Sequence, residues 1–438
     1  MSSTNNRQES ERTGKQYARR GFLGLTGVGI VGLAGCTSIS PGSGGEGNRT
    51  KTLPAAESWP MFQYDSGNTG NAPVRTPDGK VSGLWQSDKG SRVQSPPMIK
   101  DNVIYVNSGV VHALSRADGT HLWSTENADT QSIAVTDDYL YRSVDELGGE
   151  RLYIHDREDG IELESYSIPG YMTAALAVAD ETAYVTSNAF HLEKQNEHIK
   201  NLYAITPEGG VEWTFDPDRD LSANGSVGSL PRHLTPAVTD ESVFITTNSP
   251  HDAENEVLYA VSRTNGNEQW STAIPNAPSA PISAADGTLY LPRVAEQGSK
   301  LHALSMDDGS KEWSVEMDRP RLSSIAVGDE TVYVSCDTGE APDWSAVVRA
   351  LSATDGEEEW SYETEDHLVG PPVTINDTVY VSGTDRPFQE RGDIYALSAS
   401  DGTEQWHFET DRHVATSPVI VDGTIYIGSK REYVYALE

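Results

Sequence analysis

Two cysteines in 438 residues, Cys36 and Cys336, leave no room for a disulfide framework, and no CxxC or CxxCH spacing offers a metal or haem site. Lysine is nearly as scarce, with 10 lysines against 22 arginines. Cations as a whole are outnumbered: 32 Lys plus Arg face 66 Asp plus Glu, for a net charge of −34. So acidic a chain repels phosphate backbones and anionic membrane surfaces, which excludes nucleic acid as a partner. The acid excess, with arginine favoured over lysine, points to a salt-loving source. No apolar run reaches the about 20 residues that cross a bilayer. Catalytic signatures are missing too, for neither GxSxG nor HExxH occurs.

What is present begins with an address. Arg19-Arg20-Gly21-Phe22-Leu23 precedes a short, Gly-rich apolar run that ends in Leu33-Ala34-Gly35-Cys36. The arginine pair resembles the twin-arginine (Tat) export signal of proteins that fold before crossing a membrane. The four residues ending in Cys36 resemble a lipobox, in which the cysteine is lipidated and the chain is cut before it. Residues 1–35 are therefore expected to be a lipoprotein signal peptide, and residues 36–56, rich in Ser, Gly and Pro, a flexible tether. The protein is expected outside the cytoplasmic membrane, held by lipid on Cys36.

Residues 57–438 repeat one phrase eight times. An acidic or amide residue stands four positions before an aromatic at Asp101/Tyr105, Asp137/Tyr141, Asp180/Tyr184, Asp240/Phe244, Asp286/Tyr290, Asp329/Tyr333, Asn376/Tyr380 and Asp422/Tyr426. An apolar-x-Ala-apolar stretch follows, as in Val111-His112-Ala113-Leu114, then an Asp-Gly turn, then a Trp. The second copy alone has Glu164 where the Trp belongs. Alternating β-branched and aromatic residues between Gly and Asp turns spell four strands per copy, named a to d below. Four strands per unit of about 46 residues is a propeller blade. The eighth copy stops after strand c, and Gly83-Leu84-Trp85-Gln86 is an orphan strand d near the other end. The spacing predicts an all-β, eight-bladed propeller whose last blade is closed by an N-terminal strand, which removes the open edge.

The Ala117-Asp118-Gly119-Thr120 turn with Trp123 after it resembles the tryptophan-docking repeat of PQQ-like β-propellers. Trp59-Pro60-Met61-Phe62-Gln63-Tyr64-Asp65, with Asn68-Thr69-Gly70 behind, resembles the lead-in of non-enzymatic members such as the BamB-like assembly lipoproteins. With the export signals, this identifies a haloarchaeal type of exported lipoprotein. The resemblance implies either of two functions. One is a non-enzymatic scaffold, expected to be monomeric and without cofactor, that binds a protein or small molecule. The alternative is a quinoprotein dehydrogenase with PQQ and Ca²⁺ in the central funnel. Large alcohol-oxidising members carry adjacent cysteines against the quinone, and this chain has none. One carboxylate run, Asp216, Asp218 and Asp220, has the alternate spacing of a calcium loop. It lacks the expected Gly and Glu, having Leu221 and Val227 in their places.

Interval lengths favour a binding face. The strand-c Ala (Ile154 in the second copy) lies 9 or 10 residues before the docking position, whereas the aromatic-to-Ala interval runs from 8 to 20. The docking position lies mostly 20 residues before the next aromatic but stretches to 31 between Trp213 and Phe244. The variable b–c and d–a loops share one face of a four-stranded blade, and scaffolds display function on such loops. Thirteen residues before each strand-b aromatic, or one or two beyond, stand Arg92, Tyr171, Arg232, His233, Arg321, His367 and His413. These residues are expected to ring the funnel mouth and accept an anionic or aromatic group, the imidazoles binding more tightly as pH falls. The bland expectation is solvated side chains paired with local carboxylates such as Asp366 and Asp411.

Overall fold

The computed structural model describes residues 58–438 except 74–75, 78–80, 90, 127–128, 147–148, 170–174, 188–201, 209, 217–234, 249–254, 276–279, 295–297, 318–320, 338–344, 385–390, 411–412 and 430–432. All described residues belong to a compact unit spanning 52–438. Cys36, Arg19 and Arg20 lie outside them, as do Tyr171, Arg232, His233, Asp218 and Asp220.

Eight antiparallel sheets form eight blades in a ring, with no helix among the described residues. Blade 1 runs Met98–Lys100, Val103–Asn107, Val111–Ser115 and His121–Ser124 from the axis outward. Blade 7 has Val373–Ile375, Thr378–Thr384, Gly392–Ser398 and Glu404–Thr410, and its extra pair His367–Leu368 lies beside strand b. Blade 8 takes strands a to c from Val419–Val421, Thr424–Gly428 and Tyr433–Leu437, and its strand d is Gly83–Asp88. Trp85 stands opposite Ala436, so the two ends of the ring are joined within one sheet.

Each docking Trp makes the first of two contacts, and six of the seven make both among the described residues. Its ring tilts against the strand-b aromatic of its own blade at 5.8–6.1 Å between centroids, as in Trp85/Tyr426 and Trp360/Tyr333. Its indole N–H donates to a carbonyl beyond strand c of the next blade, at 2.8–3.2 Å for Trp85, Trp123, Trp213, Trp270, Trp313 and Trp360. A burying Trp needs such an acceptor for its single donor. Blade 2 solves its missing Trp two residues later, for Tyr166 lies under Gly210 of blade 3, where the other interfaces place a Trp.

The acidic residue of the repeat has two uses. Asp101, Asp180, Asp286, Asn376 and Asp422 take φ values of 45–54°, the left-handed region that Asp and Asn tolerate in turns. Three of these then hold an arginine from the next blade: Arg116 reaches Asp422 at 2.6 Å, Arg157 reaches Asp101 at 3.0 Å, and Arg263 reaches Asp180.

A feature with no counterpart in the repeat lies inside the ring. Residues 58–72 run along the inner strands at the end where a turns into b. Ser58 and Trp59 pair with Lys100 and Ile99 of blade 1. Pro60 O accepts from Val135 N, Ser66 O from Val238 N, Gly67 O from Ala284 N, Thr69 O from Val327 N and Gly70 O from Thr374 N. The Asn68 amide donates at 3.1 Å to both Pro236 and Ile282 carbonyls, bridging blades 4 and 5. Met61 joins the buried cluster of Leu176 and Val178 in blade 3, and Trp59 that of Val419 in blade 8. This hoop thus touches all eight blades. Gly67 is required there, because a Cβ would lie 2.7 Å from the Ala284 oxygen.

Candidate functional site

The hoop occupies the a–b end of the central channel, so the candidate site lies at the opposite end, where the b–c and d–a loops emerge. Of the seven mouth residues expected from the sequence, Arg92, His367 and His413 have described side chains. Arg92 is exposed. Its neighbour Val93 is fixed on blade 8, donating to Ser429 O at 3.3 Å and packing where a Cβ on Gly428 would go. Arg321 begins strand a of blade 6, opposite Asp337, with its side chain outside the described residues.

Two of the seven converge on one residue. His367 stands directly opposite Thr384 in the strand pairing of blade 7. His413, from the loop that enters blade 8, places Nε2 2.8 Å from the Thr384 hydroxyl. Both imidazoles are half-buried. Below them Ser382 Oγ donates to Val369 O and Thr416 O, at 2.8 and 2.9 Å, stitching the two entering loops together. The Thr384 hydroxyl can donate or accept, so it suits either tautomer of His413.

The local carboxylate has another role. Asp366, beside His367, accepts from the Tyr395 hydroxyl and hydrogen-bonds to Asp393 on strand c. Gly383 makes room for it, since a Cβ there would come within 3.0 Å of the Asp366 side chain. Loss of water, then the charges of Asp366 and Glu409, push the Asp393 carboxyl up to about 7. In the unfolded chain an aspartate titrates near about 4. The folded state therefore holds the extra proton between those values, and this group's contribution weakens as pH rises from about 4 to about 7. Asp393→Asn should remove that loss. Measured by urea unfolding, the variant is expected to gain on the parent by about 1–2 kcal/mol between pH 4.5 and 8, a figure discounted for partial exposure. A gap between the two that is flat over this range would refute the shared proton.

Sequence reasoning found His367 and His413 but missed Thr384, Asp393 and Tyr395. Thr384 ends an ordinary β-branched strand, and the other blades show no common residue type three positions before the strand-c Ala, where Asp393 stands. Of the calcium-loop candidate, Asp216 is exposed just beyond strand d of blade 3.

No group of three or more His, Cys, Asp or Glu among the described residues is disposed to hold a metal ion. Cys336 is buried in blade 6 in a cluster with Leu322 and Val334, opposite Val347 on the neighbouring strand. The groups gathered on Thr384 are imidazole and hydroxyl, and the nearby Asp366 and Asp393 carboxylates are engaged with each other and with Tyr395, whereas calcium takes a shell of oxygens. The described residues do not assemble a calcium–quinone site.

A family model described as outer membrane protein assembly factor BamB matches residues 73–272, 142–335 and 297–438. No curated protein matches the chain. Among solved structures, quinohemoprotein alcohol dehydrogenase from Comamonas testosteroni is similar at 14% identity and a TM-score of 0.64, over 88% of this chain and 81% of that one. BamB from Moraxella catarrhalis is similar at 14% identity and a TM-score of 0.57, over 82% of this chain and 100% of that one. A europium-containing methanol dehydrogenase is similar at 10% identity and a TM-score of 0.62, over 88% and 99%. Identities this low carry the fold alone.

Proposed function

The chain belongs to the family described as outer membrane protein assembly factor BamB, and on that footing we propose that it is an exported, lipid-anchored binding or assembly scaffold, without enzymatic activity, that holds a partner at the mouth formed by its b–c and d–a loops. The observation that carries this reading is the hoop. With residues 58–72 laced to the inner strands at the a–b end, the channel is left to open among the variable loops. His367 and His413, gathered on Thr384, give that mouth donors for a carboxylate-bearing molecule or an acidic peptide end. The twin-arginine pair Arg19-Arg20 and the lipobox at Cys36 support export and anchoring.

The Cys36→Ser protein should appear in the soluble fraction instead of the membrane, and it supplies material for the binding test. A fluorescent peptide ending in two glutamates, titrated in 1 M KCl where the Debye length is about 3 Å, is expected to bind it. The His367→Ala/His413→Ala double variant should bind about ten-fold more weakly, or about 1.4 kcal/mol. Equal affinity would remove the mouth site. A quinone absorption band in the purified protein would favour the dehydrogenase reading.

A further inference from the structure

The residue just before the docking position of each outer strand is the extra residue of a β-bulge, skipped in the pairing with strand c. In blades 4 to 7 this residue is Gln269, Glu312, Glu359 or Gln405. Each is hydrogen-bonded to the first residue of its own strand b: Ser242 at 2.6 Å, Thr288 at 3.1 Å, Thr331 at 3.1 Å and Thr378 at 3.4 Å. In blades 8, 1 and 2 the same position holds Leu84, Leu122 and Leu163, exposed by 48, 50 and 47%. Ile161 of blade 2 and Val211 of blade 3, at 60 and 47%, complete the large exposed aliphatics among the described residues. All five fall on the outer strands, or at their lead-in, of four consecutive blades.

Blade 8 adds a cleft to this arc. Its strands c and d come from distant parts of the chain, so no c–d hairpin covers the outer edge of blade 7. A cavity of about 360 Å³ opens there between Phe408–Thr410 and Gly83–Gln86, with Tyr435 and Leu437 behind and Leu84 in its wall. A Cβ on Gly83 would meet nothing within 4 Å.

The exposed charge around the patch is mostly negative, with half-buried Lys89 and exposed His121 the exceptions. Asp118, Glu158, Asp159, Glu162, Glu164 and Glu212 are exposed on the same strands and turns. The neighbouring Arg116 and Arg157 are turned inward onto Asp422 and Asp101. Aliphatic side chains set among carboxylates fit a partner that is itself aliphatic and basic. Lipid headgroups of negative charge and a second copy of this acidic chain both fit poorly. The outermost strands also present unpaired backbone groups to an added strand.

We propose that the outer rim of blades 8, 1, 2 and 3 is a docking surface for an extended segment of another protein in which aliphatic and basic side chains alternate. This surface is separate from the mouth and stands whether or not the mouth binds, so His367→Ala/His413→Ala should leave it intact.

The test uses the soluble full-length protein with three synthetic peptides: alternating leucine and lysine, alternating serine and lysine, and alternating leucine and glutamate. The leucine–lysine peptide is expected to bind. Leu84→Gln/Leu122→Gln/Leu163→Gln, which installs a residue already found at this position in blades 4 and 7, should weaken it about ten-fold with no change in unfolding midpoint. Leu84→Gln alone should weaken it less, as a check should the triple variant fold poorly. Equal binding by parent and triple variant overturns the proposal, as does equal binding of the serine–lysine peptide. Self-association, or sedimentation with phosphatidylcholine vesicles, that the triple variant loses would assign the patch to a second copy or to lipid and overturn it too.

Discussion

A chain lacking residues 1–90 is expected to aggregate or to unfold without a cooperative transition, while a chain lacking only 1–57 melts like the whole protein. The longer deletion removes two independent ties. Strand Gly83–Asp88 goes first, with Trp85 packed against Tyr426 and bonded to Arg116 O at 3.2 Å. Trp85 is half-buried, so its loss costs less than the about 3–5 kcal/mol of a fully buried Trp, and the bared edge of Tyr433–Leu437 is a template for association. The hoop goes with it. Six backbone hydrogen bonds link residues 60–72 to Val135, Val238, Ala284, Val327 and, twice, Thr374, each worth about 1 kcal/mol. Together these approach the whole stability of a typical domain, about 5–15 kcal/mol. A third chain, lacking 1–80, keeps the outer strand and loses the hoop, and it should fold with a lowered midpoint. If the 1–90 and 1–57 deletions unfold alike in a thermal scan, neither tie closes the ring.

Gly402→Ala is expected to cost about 3 kcal/mol, although it adds one methyl group at a surface turn. The new Cβ would lie 2.5 Å from Cε3 of Trp360 and 2.8 Å from Cδ2, and Gly402 has φ +70°. Left-handed backbone alone costs a residue with a Cβ about 1–2 kcal/mol. The remainder comes from pushing the ring off its bond to Ala399 O, now 2.8 Å. Gly83→Ala is the control, since it meets open space on the same rim and should leave the urea midpoint unchanged. Equal midpoints for the two variants would mean that the turn glycines do not fit the ring against its neighbours.

The propeller was legible because its information is repeated. Eight aromatics at one offset, the docking Trps and the displaced Trp85 each mark a contact that recurs, and the structure has every one of those strands. Glu164 left a gap in that pattern, because the ring that fills it, Tyr166, sits two residues beyond the place where a Trp is sought. The hoop could not be read from the sequence at all. Its grip is on inner-strand backbone groups, which almost any residue supplies, and only Gly67, Asn68 and Gly70 hint at tight geometry. At the mouth, His367 and His413 came from position counting, but the residue that joins them did not. Thr384 matters through what the neighbouring blade's loop lays on it, and such contacts between blades leave no periodic trace. Tyr171, Arg232 and His233 lie outside the described residues.

The pairing of Trp85 with Ala436 spans 351 positions of sequence, 436 minus 85. A ribosome delivers the first of these long before the second, so throughout synthesis the outer strand of blade 8 has no sheet to join. Contacts of such separation are the slow ones in folding, and a half-made ring displays open edges that invite misassembly. The ring can therefore close only once synthesis is nearly complete, and that late closure is expected to be the slow step. A chain stalled even a few residues short of Tyr433 would keep seven good blades and never become a propeller.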